Sequence, residues 1–124
     1  MADYRLSRFA QAQIVEILAE SEREFGTHAR ERYAALMIKA MEDAAADPEG
    51  LGVEHHHGLD QKVRSYHLRY SRKRVRDPPG RVGDPRHLLI FRIAEDGTID
   101  ILGVLHDKML PRRAIRKILS QTAP

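Results

Sequence analysis

Two kinds of side chain in this sequence could do chemistry, imidazoles and guanidiniums. Three of the seven histidines form the run His55-His56-His57, while His67 and His106 stand alone. A neutral imidazole binds metals such as zinc and moves protons near neutral pH. Adjacent residues on an extended chain point to opposite faces, so only His55 and His57 of the run could share one ion. No carboxylate–histidine constellation with fixed spacing offers a third ligand, so the run reads as a solvated loop and no metal is assigned. The guanidiniums crowd into Y-S-R-K-R-V-R-D-P-P-G-R-V-G-D-P-R, positions 70–86, just before the apolar run of Leu88 to Phe91. Arginine binds carboxylates and phosphates through paired N–H groups, so this stretch is expected to meet an acidic partner. Gly80 and Gly83 flank Arg81 and Val82 without the strand-to-helix setting of a phosphate-cradling loop.

Composition narrows the setting for these residues. A chain of 124 residues, 42% apolar and 31% charged, suits one soluble domain spanning 1–124. No run approaches the ~20 consecutive apolar residues of a membrane helix. The start, Met-Ala-Asp-Tyr-Arg-Leu-Ser, has no signal-peptide core, so a cytoplasmic protein is expected. The chain has no cysteine, which excludes disulfides and thiolate metal sites, and nothing in it calls for a cofactor. The net charge of +3 conceals an asymmetry. Residues 1–50 hold six Lys/Arg against ten Asp/Glu, whereas residues 62–92 hold ten against two. The second half therefore carries a positive field suited to nucleic acid or an acidic protein segment.

Hydrophobic periodicity supplies the elements that must position these groups. Tyr4 to Leu6 alternate as a short strand, and Ser7 can cap the helix that follows. Ala10, Ile14, Ile17, Leu18, Ser21 and Phe25 then mark one buried helical face. Gly26 stops that helix and Thr27 is placed to cap a second, whose apolar stripe is Ala29, Tyr33, Leu36, Met37, Ala40 and Ala44. Residues 51–62 show no period. From Val63 the period becomes two, with Tyr66, Leu68 and Tyr70 inward and His67, Arg69 and Ser71 outward. Leu88 to Ile93 and Ile99 to Leu105 read as strands joined by an Asp96-Gly97 turn, and Pro111 to Leu119 as a short basic helix. The expected fold is α+β: an N-terminal strand, a helical hairpin, a three-stranded antiparallel sheet and a C-terminal helix. Residues 72–87 then form a basic Pro/Gly insertion between two strands, longer than an ordinary hairpin loop.

Six pieces of the chain, in order, resemble the RelE/ParE superfamily of type II toxins, and most closely its ParE branch. They are Y-R-L-S-R-F-A, E-F-G-T-H-A-R-E-R-Y, Y-H-L-R-Y, P-R-H-L-L-I-F-R-I, I-D-I-L-G-V-L-H and the D-K-M-L that follows it. The resemblance implies a helical hairpin packed on a twisted antiparallel sheet, and a cognate, ParD-like antitoxin that wraps and silences the toxin. ParE-like members are associated with poisoning DNA gyrase, and RelE-like members with cutting mRNA on the ribosome. Fold alone does not separate these activities.

The RNase alternative needs groups to activate the ribose 2′-OH, stabilise the phosphorane and protonate the leaving oxygen. Its candidates are Arg92, His106 and His67, with Arg69 and Lys108 as further cations. The V-L-H motif ending in His106 also occurs in ParE-like chains, so it favours neither activity, and the sequence offers no convincing acid–base pair. Tyr66 and Tyr70 are the aromatics nearest the basic stretch, and their alternation places them inward, which weakens a base-stacking role. The preferred reading is therefore a gyrase-directed toxin that acts by binding. Arg64, Arg69, Arg72, Lys73, Arg74, Arg76 and Arg86 are expected to bind the target or the acidic tail of the antitoxin. A third reading is a chain that has lost toxicity and serves in DNA-binding repression complexes.

Overall fold

The computed structural model describes residues 3–59 and 62–121. Met1 and Ala2, part of the stretch read for a signal sequence, lie outside the described residues. Strand β1 (Tyr4–Leu6) ends at Ser7, whose hydroxyl accepts the Ala10 N–H at 3.0 Å and so starts helix α1 (Arg8–Phe25). Gly26, at φ 94°, reverses the chain into α2 (Thr27–Ala46). Gly26 itself occupies the cap of α2 without a side-chain bond, so Thr27 is the first helical residue rather than the cap. Leu36, Met37, Ala40 and Ala44 of α2 are buried, as their spacing predicts. Phe25 departs from its stripe: it sits at the turn of the hairpin, beside Gly26, 73% exposed.

The sheet has five strands, not the expected three, in the order β1-β5-β4-β3-β2. Its other members are β2 (Val53–His55), β3 (Arg64–His67), β4 (His87–Ile93) and β5 (Ile99–His106). All pairings are antiparallel except β1 with β5. β1 joins the sheet because the helical hairpin carries the chain away before its partner strand is made, a non-local pairing invisible to periodicity. β2 is three residues long and too short to show a period. The turn at Asp96-Gly97 forms as expected, with Gly97 at φ 87°.

The basic strand expected to run to Ser71 stops at His67. The imidazole Nδ1 of His67 accepts the N–H of Arg69 at 3.1 Å and turns the chain into a 3-10 helix, Leu68–Arg74. The period becomes three, so Leu68 and Ser71 are both fully buried while Tyr70 is 39% exposed. Ser71 earns its burial by hydrogen bonds with Asp43 at 2.6 Å and with Tyr66 Oη at 2.9 Å. Residues 75–86 then form the irregular part of the insertion.

Both faces of the sheet are covered. The hairpin packs on Tyr66, Leu68, Leu89, Phe91, Ile99, Ile101 and Val104, while helix α3 (Pro111–Gln121) covers Val63, Ile90, Leu102 and Leu105. Ile115 and Ile118 of α3 are buried there, each stabilising by about 1.5–3 kcal/mol. β5 serves both cores through a bulge: Ile90 pairs with Gly103 and Phe91 with Ile101, leaving Leu102 unpaired. α1 repairs the ladder there. Ser7 donates to Leu102 O at 3.1 Å, and Val104 N donates to Gln13 Oε1 at 2.7 Å.

That last bond makes a test. Gln13→Met keeps the bulk but leaves the buried Val104 N–H without an acceptor, which costs about 1–3 kcal/mol. Urea unfolding of this variant should show a lower midpoint with an unchanged slope.

Candidate functional site

Three adjacent strands present a histidine at the same end of the sheet. His67 ends β3, His87 begins β4 and His106 ends β5, with His87 directly opposite His106 and His67 opposite Leu88. Arg86 precedes this row and Asp107 follows it, their backbones joined by a 2.9 Å bond from Asp107 N to Arg86 O. Tyr33 reaches the same point from α2. The His87 and His106 rings meet edge to face at 5.0 Å between centroids, and Tyr33 meets His87 likewise at 5.6 Å.

Hydrogen bonds assign the tautomer of each ring. His67 Nδ1 accepts from Arg69 N, so its Nε2 carries the hydrogen and donates to Asp107 Oδ2 at 3.0 Å. His106 Nδ1 accepts from Lys108 N at 3.1 Å, which leaves a hydrogen on Nε2. Tyr33 Oη accepts the Arg86 N–H at 3.1 Å and donates to His87 Nδ1 at 2.6 Å. All three imidazoles thus use their lone pair inside the protein. A neutral imidazole acts as a general base only through that lone pair.

The electrostatics support the state assigned to His87. Burial, reinforced by the charge of His106, lowers the pKa of His87 to about 4, so it is neutral at pH 7. Burial raises Tyr33 to about 12, outweighing the hydrogen bond from the Arg86 backbone, so its hydroxyl keeps the hydrogen that His87 receives. Burial alone would raise Asp107. The hydrogen bond from His67 and the charge of Arg86 outweigh it and hold the carboxyl below its ordinary value. Arg86 approaches Asp107 at 3.0 Å and Asp84 at 3.5 Å.

The candidates for RNA cleavage are only partly brought together. His67 and His106 share a cleft of about 480 Å³ with Arg69, Tyr70 and Asp107. Arg92 lies five residues along β4 from His87, roughly 16 Å away at the strand rise, where it approaches Asp100 at 3.9 Å. The Lys108 side chain is on an exposed turn beside His106. In the histidine run, the His55 and His57 rings stack at 6.1 Å, while His56 bonds Ser65 Oγ at 2.7 Å. Among the described residues no group of three His, Asp or Glu side chains could hold a metal.

The seven cations expected to face a partner divide into two sets. Arg64 is paired with Glu49 and its side chain is 12% exposed. Arg72 donates to Val82 O and so holds the insertion in place. Arg74 bonds Asp43 at 2.8 Å and Tyr70 O at 2.9 Å. Arg86 is held by Asp107, as above. Arg74 and Arg86 keep 53% and 43% of their side chains exposed despite these pairings, while Arg69, Lys73 and Arg76 are exposed and form no ion pair among the described residues. Arg69 lies over the Tyr70 ring at 4.9 Å, and the side chains of Lys73 and Arg76 have no partner among the described residues.

Tyr33, His87 and Asp107 belong to this site without having been singled out from sequence. Tyr33 reads as one more core residue of α2, and His87 as the polar start of an apolar strand. The facing register of β4 and β5 brings His87 and Asp107 together, and the packing of α2 adds Tyr33. An Asp directly after the V-L-H motif was the one local signal available.

Neutral His87 makes stability depend on pH. The folded protein accepts its proton only near pH 4, whereas an unfolded histidine accepts one near 6.5. Between those values the unfolded chain binds more protons, so stability falls as pH is lowered through that window, by up to roughly 3 kcal/mol. Urea titrations at pH 7 and pH 4.5 should show this loss, and His87→Gln should reduce it.

None of the curated proteins is significantly similar to this chain. A family model does match it: the ParE toxin of type II toxin–antitoxin system, parDE, aligns with residues 4–111. The match runs from β1 through the histidine row to the first residue of α3, and the chain belongs to the ParE toxin family of type II toxin–antitoxin systems.

Proposed function

We propose that this toxin arrests growth in the cytoplasm by binding DNA gyrase, and that a cognate antitoxin keeps it silent. The observation that carries the reading is the state of the histidine row. His67, His87 and His106 each give Nδ1 to an internal donor, and Arg92 stands at the far end of β4. Cleaving RNA at the ribose 2′-OH needs a free base beside a cation that meets the phosphate. The cleft supplies a cation, Arg69, and no free imidazole lone pair. Binding a target asks less of the site. It needs exposed charge on a rigid support, and Arg69, Lys73 and Arg76 have both, because Arg72 and Arg74 fasten their segment to Val82 and Asp43.

Two variants and two assays separate the activities. Arg69→Glu/Lys73→Glu/Arg76→Glu should raise the concentration needed to inhibit gyrase supercoiling by at least ~10-fold, about 1.4 kcal/mol, and relieve growth arrest. Its urea midpoint should stay close to that of the parent protein, since these side chains are exposed. His106→Gln should remain toxic. If instead His106→Gln abolishes toxicity and the parent protein cleaves mRNA on ribosomes, the RNase reading replaces this one. If the parent protein causes no growth arrest, it is no longer a toxin.

A further inference from the structure

The positive charge of the chain has a second source, which the site above does not use. Residues 108–124 hold five Lys/Arg and no Asp/Glu. Residues 1–107 hold sixteen against eighteen, so without that C-terminal segment the protein would be net negative. The five cations are Lys108 and, on α3, Arg112, Arg113, Arg116 and Lys117, and all are exposed. Among the described residues none of them forms an ion pair. The one side-chain bond they make runs from Arg112 to His57 O at 3.1 Å.

At about 100° per residue the four α3 cations occupy one arc of roughly 140°, opposite the buried Ile115 and Ile118. Folding does not call for them there. Arg112 and Arg113 lie in the first turn, which holds no acidic residue, and cations at that end oppose the helix dipole. Side chains that break a local rule without an internal partner point to a partner outside the chain.

The chemistry of the face narrows that partner. Four charges over about 7.5 Å of helix, one per ~1.9 Å, come close to duplex DNA, which carries one negative charge per ~1.7 Å. No Phe, Tyr or Trp follows Phe91, so the face lacks the stacking platform that single strands use. An acidic protein segment would find charge here but no apolar anchor, because the apolar side of α3 is buried on the sheet. Met109 and Leu110 are exposed just ahead of the helix, and two side chains offer a lipid layer little area. We infer that the outer face of α3 binds the phosphate backbone of duplex DNA without reading its sequence. Arg69 and Pro111, the first residue of α3, line the same cleft, so this face begins beside the surface assigned to the target. Holding the toxin on the DNA where gyrase works is a use that rests on the function proposed above; the DNA binding itself does not.

The test uses the full chain and a fluorescein-labelled duplex of about 20 base pairs, read by anisotropy from about 50 to 200 mM salt. Each phosphate contact adds about 0.9 to the steepness of log K against log salt. Arg113→Gln/Arg116→Gln/Lys117→Gln should therefore flatten the slope by about 2.7 and weaken binding at about 0.1 M salt at least ~10-fold. A second duplex of unrelated sequence should bind as well as the first. The urea midpoint of the variant should not fall, since all three side chains are exposed. Phosphatidylserine vesicles and an oligoglutamate peptide serve as the rival partners. The inference is overturned by an unchanged slope in the variant, by no duplex binding at low salt, or by a loss seen with vesicles or oligoglutamate but not with DNA. Gyrase is absent from this assay, so failure here and failure of the proposed target are told apart.

Discussion

Strand β5 is the constraint on which the rest depends. It is buried on both faces, pairs with the first strand on one side and β4 on the other, and must supply side chains to two separate cores. A regular strand with alternating sides could do this, but the register would carry through unchanged to its end. The bulge at Leu102 shifts it by one residue, and beyond the bulge His106 stands opposite His87. α1 is tied to the bulge through Ser7 and Gln13, and Gly103 lets it approach: a Cβ there would lie 2.9 Å from both Gln13 Oε1 and Ile118. The same local irregularity therefore seats a helix on the sheet and sets which residues meet at the sheet's end.

The histidine row follows from that register, and its chemistry follows from its backbone. His67 and His106 each end a strand and each accept the N–H of the residue two positions on, so the ring works as a turn-former. Strand ends need such acceptors, because the chain leaves the ladder there with unpaired N–H groups. Protonating either ring would replace an acceptor by a donor facing another N–H. The row is thus a structural staple whose partners Tyr33, Arg86 and Asp107 tie α2 and the insertion to the sheet.

Much of the fold was legible in the sequence because its signals are local. The Ser7 cap, the two helical stripes, the break at Gly26 and the Asp96-Gly97 turn each rest on a few neighbouring residues. The parts that were not legible rest on partners far along the chain. β1 needs Ile99 to Ile101, β2 has only Val53, Glu54 and His55, and the alternation from Tyr66 to Tyr70 looks like a strand until His67 binds its own backbone. The site divides in the same way. His67 and His106 are conspicuous as histidines, whereas Tyr33 and His87 take their meaning from a pairing 54 residues apart. The positive field was legible as a sum, but not how it is spent: Arg64, Arg72, Arg74 and Arg86 all have partners within the protein.

That division of the arginines bears on how neutralisation can work. Removing a guanidinium that already holds Asp43 or Val82 would loosen the 3-10 segment before it altered any partner contact, so charge removal at Arg69, Lys73 and Arg76 is what tests partner contact without disturbing the fold. Three exposed cations screened by physiological salt over about 8 Å make a modest handle for a tight complex.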